Sequence, residues 1–293
     1  MRFHLTLHDE GDADHWMFAT TTATANLSLN KENEEEKEEE EVRDDDFATP
    51  NDTELQDFDS IPIIDLSQPK EVYAKQIGDA CRNVGFFYIV NHGVNQKVMD
   101  GIMDISRNFF DLDLSSKLQV SNCNSSGKDN KKGYRGYFEI GGEDLDNKDG
   151  TRDLLSEEGG VHVSNNNATS TKKGDYKEGF DIGQNNEDAL LFFGDNMWPD
   201  EMENPSIVGF REHVMKYQSE LITLSDKLLL ALGHSLNDNP NGGSDIAEDY
   251  FIKQSRQPMC TLRLLHYPST KDSTVTSSQG CGAHTGKSAF VLF

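Results

Sequence analysis

Residues 259–293 read MCTLRLLHYPSTKDSTVTSSQGCGAHTGKSAFVLF, and the apolar runs at the two ends of this stretch decide the class of fold. Met259-Cys260-Thr261-Leu262-Arg263-Leu264-Leu265-His266-Tyr267 has the length and composition of a strand. Ala289-Phe290-Val291-Leu292-Phe293 is a second short, continuous apolar run. Both read as strands of a β-domain, with a polar stretch from Thr274 to Gly280 between them. Side chains alternate along a strand, so Arg263 and Tyr267, two pleats apart, face one side and His266 faces the other.

Upstream lies the clearest helix, residues 206–232, in which Ile207, Phe210, Val214, Tyr217, Leu221, Leu224, Leu228 and Leu232 recur every three or four positions. Pro205 marks its start and Gly233 its stop. A coiled coil and a long helix packed along a sheet share this pattern; sparse e/g charge pairing and a repeat that does not continue favour the packed helix. Further upstream the order is strand, helix, strand, helix. Ile61-Pro62-Ile63-Ile64-Asp65-Leu66 opens it, and Val72, Ile77, Ala80, Cys81 and Val84 mark a helix ended by Gly85. Phe86-Phe87-Tyr88-Ile89-Val90 is a strand stopped by Asn91-His92-Gly93, and Val98, Ile102, Ile105 and Phe109 mark the second helix. Polar stretches at 121–132 and 143–174 read as long surface loops. The aromatic and glycine-rich islands Gly133–Phe138 and Lys177–Gly183 read as packed corners of the scaffold.

Composition divides the chain. Residues 1–59 hold nineteen Asp/Glu against four Lys/Arg, so they carry −15 of a net charge of −25. A run such as Glu34-Glu35-Glu36-Lys37-Glu38-Glu39-Glu40-Glu41 repels itself and has nothing to bury, so residues 1–58 read as a disordered acidic tail, either a solvated leader or an arm for an unidentified protein partner. Net acidity excludes a nucleic-acid backbone as partner, which requires Lys and Arg to release counterions. Four scattered cysteines without a C-x-x-C pair fit reduced thiols. No stretch reaches the ~18 apolar residues of a membrane span, and acidic residues from Asp9 onward interrupt any signal-peptide pattern. The expectation is a cytoplasmic protein with no membrane partner.

In chain order, IPIIDL (61–66), VGFFYIVNHGV (84–94), GYRGYFEIGGE (133–143), YKEGFDIG (176–183), the long helix, TLRLLHYP (261–268) and GCGAHTGKSAFVLF (280–293) together resemble one family. It is the 2-oxoglutarate/Fe(II)-dependent dioxygenase superfamily, in its isopenicillin-N-synthase-like branch. The resemblance covers residues 60–293 and implies an α+β, mainly β fold: a double-stranded β-helix, or jelly roll, with N-terminal helices and one long packing helix. It divides the chain into the tail 1–58, a dioxygenase N-terminal region 59–196, and the long helix with the opening strands of an incomplete, C-terminally truncated catalytic domain at 197–293.

The resemblance also implies chemistry. Two histidines and a carboxylate hold Fe(II) on one face, leaving positions for 2-oxoglutarate and oxygen. The co-substrate is decarboxylated to succinate and carbon dioxide while a C–H bond of a small-molecule substrate is oxidised, with ascorbate a candidate accessory reductant. His284 matches the first histidine of the family's H-x-D motif and is the expected metal ligand. Tyr267, before Pro268, matches the position that contacts the co-substrate, and Arg263, on the same strand face, is a second candidate for binding it. No residue is assigned as a catalytic acid or base. Position 286, the family's aspartate, is Gly286, and no counterpart of the distal histidine or the Arg-x-Ser pair follows His284. Three readings stay open: a truncated enzyme, a degenerate non-catalytic relative acting as an interaction protein, and a halogenase-like site in which a halide takes the carboxylate's place. A P-loop at Gly286-Lys287-Ser288 is excluded, since its first glycine falls on Cys281 and no buried strand precedes it.

Overall fold

The structure is a computed structural model that describes residues 15–23, 60–122, 135–143, 175–184, 195–237, 246–254, 259–269, 280–281 and 290–292. The strand read from 259–267 forms as β6 (Met259–Tyr267), and the last apolar run contains β7 (Phe290–Leu292). The islands expected as packed corners are strands instead: β4 (Gly136–Phe138) and β5 (Glu178–Gly183). Every residue of both is buried, so neither face shows the polar alternation by which a half-exposed strand is recognised.

A second correction concerns the acidic tail. Residues 15–23 lie within the segment expected to be disordered, yet they form β1 (His15–Ala23), antiparallel to β6 along its whole length. The sequence HWMFATTTA carries no Asp, Glu, Lys or Arg and is rich in β-formers, a local character hidden by averaging charge over 58 residues. The rest of the tail lies outside the described residues, as do the stretches 123–134 and 144–174. The sheet runs β4-β5-β6-β1-β7, with every neighbouring pair antiparallel.

Helices pack against the face of this sheet that carries Phe180 and Glu178. α1 (Lys70–Asn83) and α2 (Gln96–Phe110) bracket β3 (Tyr88–Val90), which pairs in parallel with β2 (Ile63–Asp65) as a separate two-stranded unit. Asn95 caps α2, its side-chain oxygen accepting from the Lys97 amide at 2.9 Å. In α1 the buried stripe is Tyr73, Ala74, Ile77 and Ala80, shifted from the expected one; Val72 faces solvent. After the short α3 (Leu114–Gln119), the long helix is α4 (Phe210–Asn237). Pro205 starts only a single 3-10 turn, Pro205–Ile207, which Gly209 at φ +86° separates from α4. Gly233 does not stop α4. The helix runs through it, and the missing side chain lets the Glu248 carbonyl, just before α5 (Tyr250–Gln254), come close to the helix backbone.

Phe109 of α2, Phe210 of α4, and Tyr137 and Phe180 of the sheet meet edge to face or tilted, with Phe109 4.9 Å from Phe180 and 5.0 Å from Phe210. Ile182, Leu262 and Leu264 complete this layer. The α+β architecture is therefore present, but among the described residues helices hold more of the chain than strands, so the mainly β weighting is not seen there. No helix among them is long and apolar enough to cross a membrane.

Candidate functional site

Alternation along β6 sorts its side chains as expected. Leu262, Leu264 and His266 face the helices; Arg263, Leu265 and Tyr267 face the other side, opposite Asp181 and Gly179 of β5. Tyr267 sits at the far end of this second face. Position 280 lies against its ring, where a Cβ would come within 3.2 Å of Cδ1, so Gly280 leaves room for the aromatic edge. Burial, with Cys281 next, pushes the Tyr267 hydroxyl above its ordinary range. The hydroxyl is therefore protonated at neutral pH.

Arg263 is placed differently from the role read for it. Its Nε donates to Asp181 Oδ1 at 2.7 Å and its Nη2 to Asp181 Oδ2 at 2.8 Å, a bidentate fork, while Nη1 donates to Glu143 Oε2 at 3.1 Å. The guanidinium also lies over the Phe138 ring, 5.1 Å from its centre. Burial alone would lower its pKa, but Asp181 and Glu143 outweigh that and hold it protonated. Burial pushes the Glu143 carboxyl up; Arg263 and then Lys177 more than reverse this and hold it below the usual carboxylate range. Lys177 in turn bonds Asp175 at 2.7 Å. Arg263 is thus the centre of a structural ion-pair network, and the expected co-substrate contact is corrected to that role: two carboxylates already fill its fork.

The opposite face anchors the same strand. Glu178, directly across from His266, takes hydrogen bonds from Tyr137 at 2.6 Å, Lys117 at 2.9 Å and His266 Nδ1 at 2.8 Å. Burial pushes the Glu178 carboxyl up, but the three donors outweigh it and keep it ionised. Lys117 also caps the Phe110 carbonyl at 2.8 Å, and the Phe110 ring lies 5.6 Å from that of His266. Asp181, Glu143, Glu178 and Lys117 were not singled out from the sequence. The usable signal was two acids, Glu178 and Asp181, in a stretch that is otherwise Gly, Phe and Ile.

At the end of β5, Asn196 pairs with both backbone groups of Gly183, accepting from its N–H at 2.9 Å and donating to its carbonyl at 2.8 Å. Its oxygen also accepts from Arg135 at 2.9 Å. His284, the expected metal ligand, and Gly286 lie outside the described residues. Among the described residues no group of three or more His, Cys, Asp and Glu is placed to hold a metal ion, so they do not by themselves make an iron site.

Comparison with known proteins gives this arrangement a context. Residues 61–201 match the family model described as the N-terminal region of non-haem dioxygenase in morphine synthesis. The chain is 29% identical over 245 residues to a homoarginine-6-hydroxylase of Arabidopsis thaliana, covering 78% of this chain and 63% of that protein. It is 26% identical over 235 residues to the 2-oxoglutarate-dependent dioxygenase tropC of Talaromyces stipitatus, covering 77% and 63%. The fold is similar to that of a Neurospora crassa protein whose crystal structure holds alpha-KG and thymine, at a TM-score of 0.51 and 23% identity, covering 73% of this chain and 58% of that one. The chain spans less than two thirds of the length of the curated relatives it matches.

Proposed function

We propose that the chain is a member of the 2-oxoglutarate/Fe(II)-dependent oxygenase superfamily and that the protein catalyses Fe(II)- and 2-oxoglutarate-dependent oxidation of a small molecule, releasing succinate and carbon dioxide. The observation that carries this is the extent of the alignments. They run over 245 and 235 residues, well beyond the 61–201 of the N-terminal region, into named oxygenases. We place the enzyme in the cytoplasm, with its strands as part of a jelly roll. Ascorbate fits as an accessory reductant.

Within this reading His284 is a metal ligand and Tyr267 a donor to the co-substrate carboxylate, its hydroxyl kept protonated by burial. Arg263 contributes indirectly: its ion pairs fix β6, and so the position of Tyr267, four residues on. Iron, when bound, would supply the oxidising chemistry. What this chain's described residues do is hold a protonated hydroxyl on a rigid strand face.

Succinate release by the purified protein, with Fe(II) and labelled 2-oxoglutarate, tests the reading. Release that needs both, is lost in His284→Ala, and shows a raised KM for 2-oxoglutarate in Tyr267→Phe is the expected result. No succinate above a metal-free control, with the protein folded, overturns it. Gly286→Asp separates the open readings of position 286. It is expected to raise succinate release irrespective of chloride; a chloride-dependent wild type that loses this dependence in the variant supports a halide at that position.

A further inference from the structure

We propose that residues 15–23 are a built-in strand on which the sheet around Tyr267 depends, bridging β6 to β7. Three observations carry this. First, β1 is central in the sheet, flanked on both sides. His15 to Ala23 pair in register with Tyr267 to Met259, and on the other side Thr20, Thr21 and Thr22 pair with Leu292, Val291 and Phe290. Second, β7 pairs with no other strand among the described residues, so β1 is its connection to the sheet. Third, β1 differs in kind from the segment next to it in the chain. HWMFATTTA has no Asp, Glu, Lys or Arg, whereas residues 24–59 hold fifteen Asp/Glu against three Lys/Arg.

A central strand satisfies the backbone groups of both neighbours. Withdrawing β1 would leave β6 with an open edge along the nine residues that end at Tyr267, and would detach β7. The thirty-six residues from 24 to 59 span up to roughly 120 Å when extended, so the connection does not restrict where β1 can pair. The uncharged segment 15–23 is the part that docks. The occupant of the β6–β7 gap is the chain's own N-terminal segment, and the inference is independent of the reaction proposed above.

The full chain carrying Thr21→Pro tests it, since proline removes a donor and cannot sit in a central strand. By hydrogen exchange, amides of residues 260–267 are expected to exchange at least roughly tenfold faster, and those of α4 to stay within about twofold. A synthetic nonapeptide with the sequence of residues 15–23 is expected to restore protection. Unchanged exchange at 260–267 overturns the proposal. Should the proline variant not fold, disulfide trapping in the otherwise unaltered chain decides. Thr22→Cys, opposite the native Cys260, and Thr21→Cys with Thr261→Cys report on β6. Thr21→Cys with Val291→Cys and Thr20→Cys with Leu292→Cys report on β7. Successive antiparallel pairs alternate between close and wide spacing, so one of each two can close a disulfide. With oxidised glutathione, peptide mapping is expected to find a link on each side. No link to β6, or a link to β6 with none to β7, overturns the bridging role.

Discussion

Asp181 and Arg263 lie directly opposite one another on β5 and β6, and their side chains meet as a parallel two-bond fork of 2.7 and 2.8 Å. Shifting either strand by one residue would throw the two charges onto opposite faces of the sheet, so the pair marks the register as well as holding it.

Arg263→Gln leaves Asp181 and Glu143 facing each other without their shared cation. We expect a loss of about 2–3 kcal/mol in urea unfolding, below the ~3–5 kcal/mol for breaking a fully buried pair because the Arg263 side chain is 30% exposed. The double variant Arg263→Gln with Asp181→Asn is expected to recover part of that loss. A single-variant cost under about 0.5 kcal/mol would show that the network contributes nothing to stability.

Gly183 is expected to tolerate no side chain. A Cβ there would overlap the Arg135 guanidinium, which is almost wholly buried and held by Asn196. Gly183→Ala should therefore cost about 3 kcal/mol or more, with displacement of Arg135. Thermal unfolding checks it, and a midpoint shift of less than about 2 °C contradicts it.

The His92 imidazole is held below its ordinary pKa, first by burial and then by the Lys227 ammonium, and its Nδ1 accepts from the Val94 amide at 3.1 Å. Protonation would remove that acceptor. In the unfolded chain the ring takes up a proton near pH ~6.5, before the folded ring does, so stability is full above that value and declines as pH falls below it. Urea midpoints at pH 7.5 and 5.5 should fall less in His92→Gln than in the wild type. Equal falls would remove His92 from the pH response.

Thiol reactivity should follow burial. Cys281 is exposed, Cys260 is buried, and burial pushes the Cys81 thiol up to about 11. At pH 8, iodoacetamide is expected to modify Cys281 roughly a hundredfold faster than Cys81, because only the thiolate reacts. Mass-spectrometric time courses check this, and comparable rates would be inconsistent with the burial of Cys81.

What could be read from the residues was the regular part. The period of three and four from Phe210 to Leu232 gives α4, and the apolar runs give β3, β6 and β7. Tyr267 and His266 fall on opposite faces because alternation is a property of the backbone. Long-range pairing was not legible. Arg263 looked like a cation available to a ligand because its partners stand 82 and 120 residues away in the chain. β1 was lost in the charge of its surroundings, and Gly233 was taken for a stop because the Glu248 carbonyl that needs its bare backbone comes from another segment.

Asn196 offers an engineering foothold. With its carboxamide clipped to both backbone groups of Gly183, it plays the part of one more strand residue beside β5. The ten positions between Gln184 and Asp195 therefore start and finish at fixed points that do not depend on what lies between them. Doubling that stretch adds only about 0.6 kcal/mol of closure entropy, so an epitope, a reporter or a whole guest module can be spliced in there at small cost to the host.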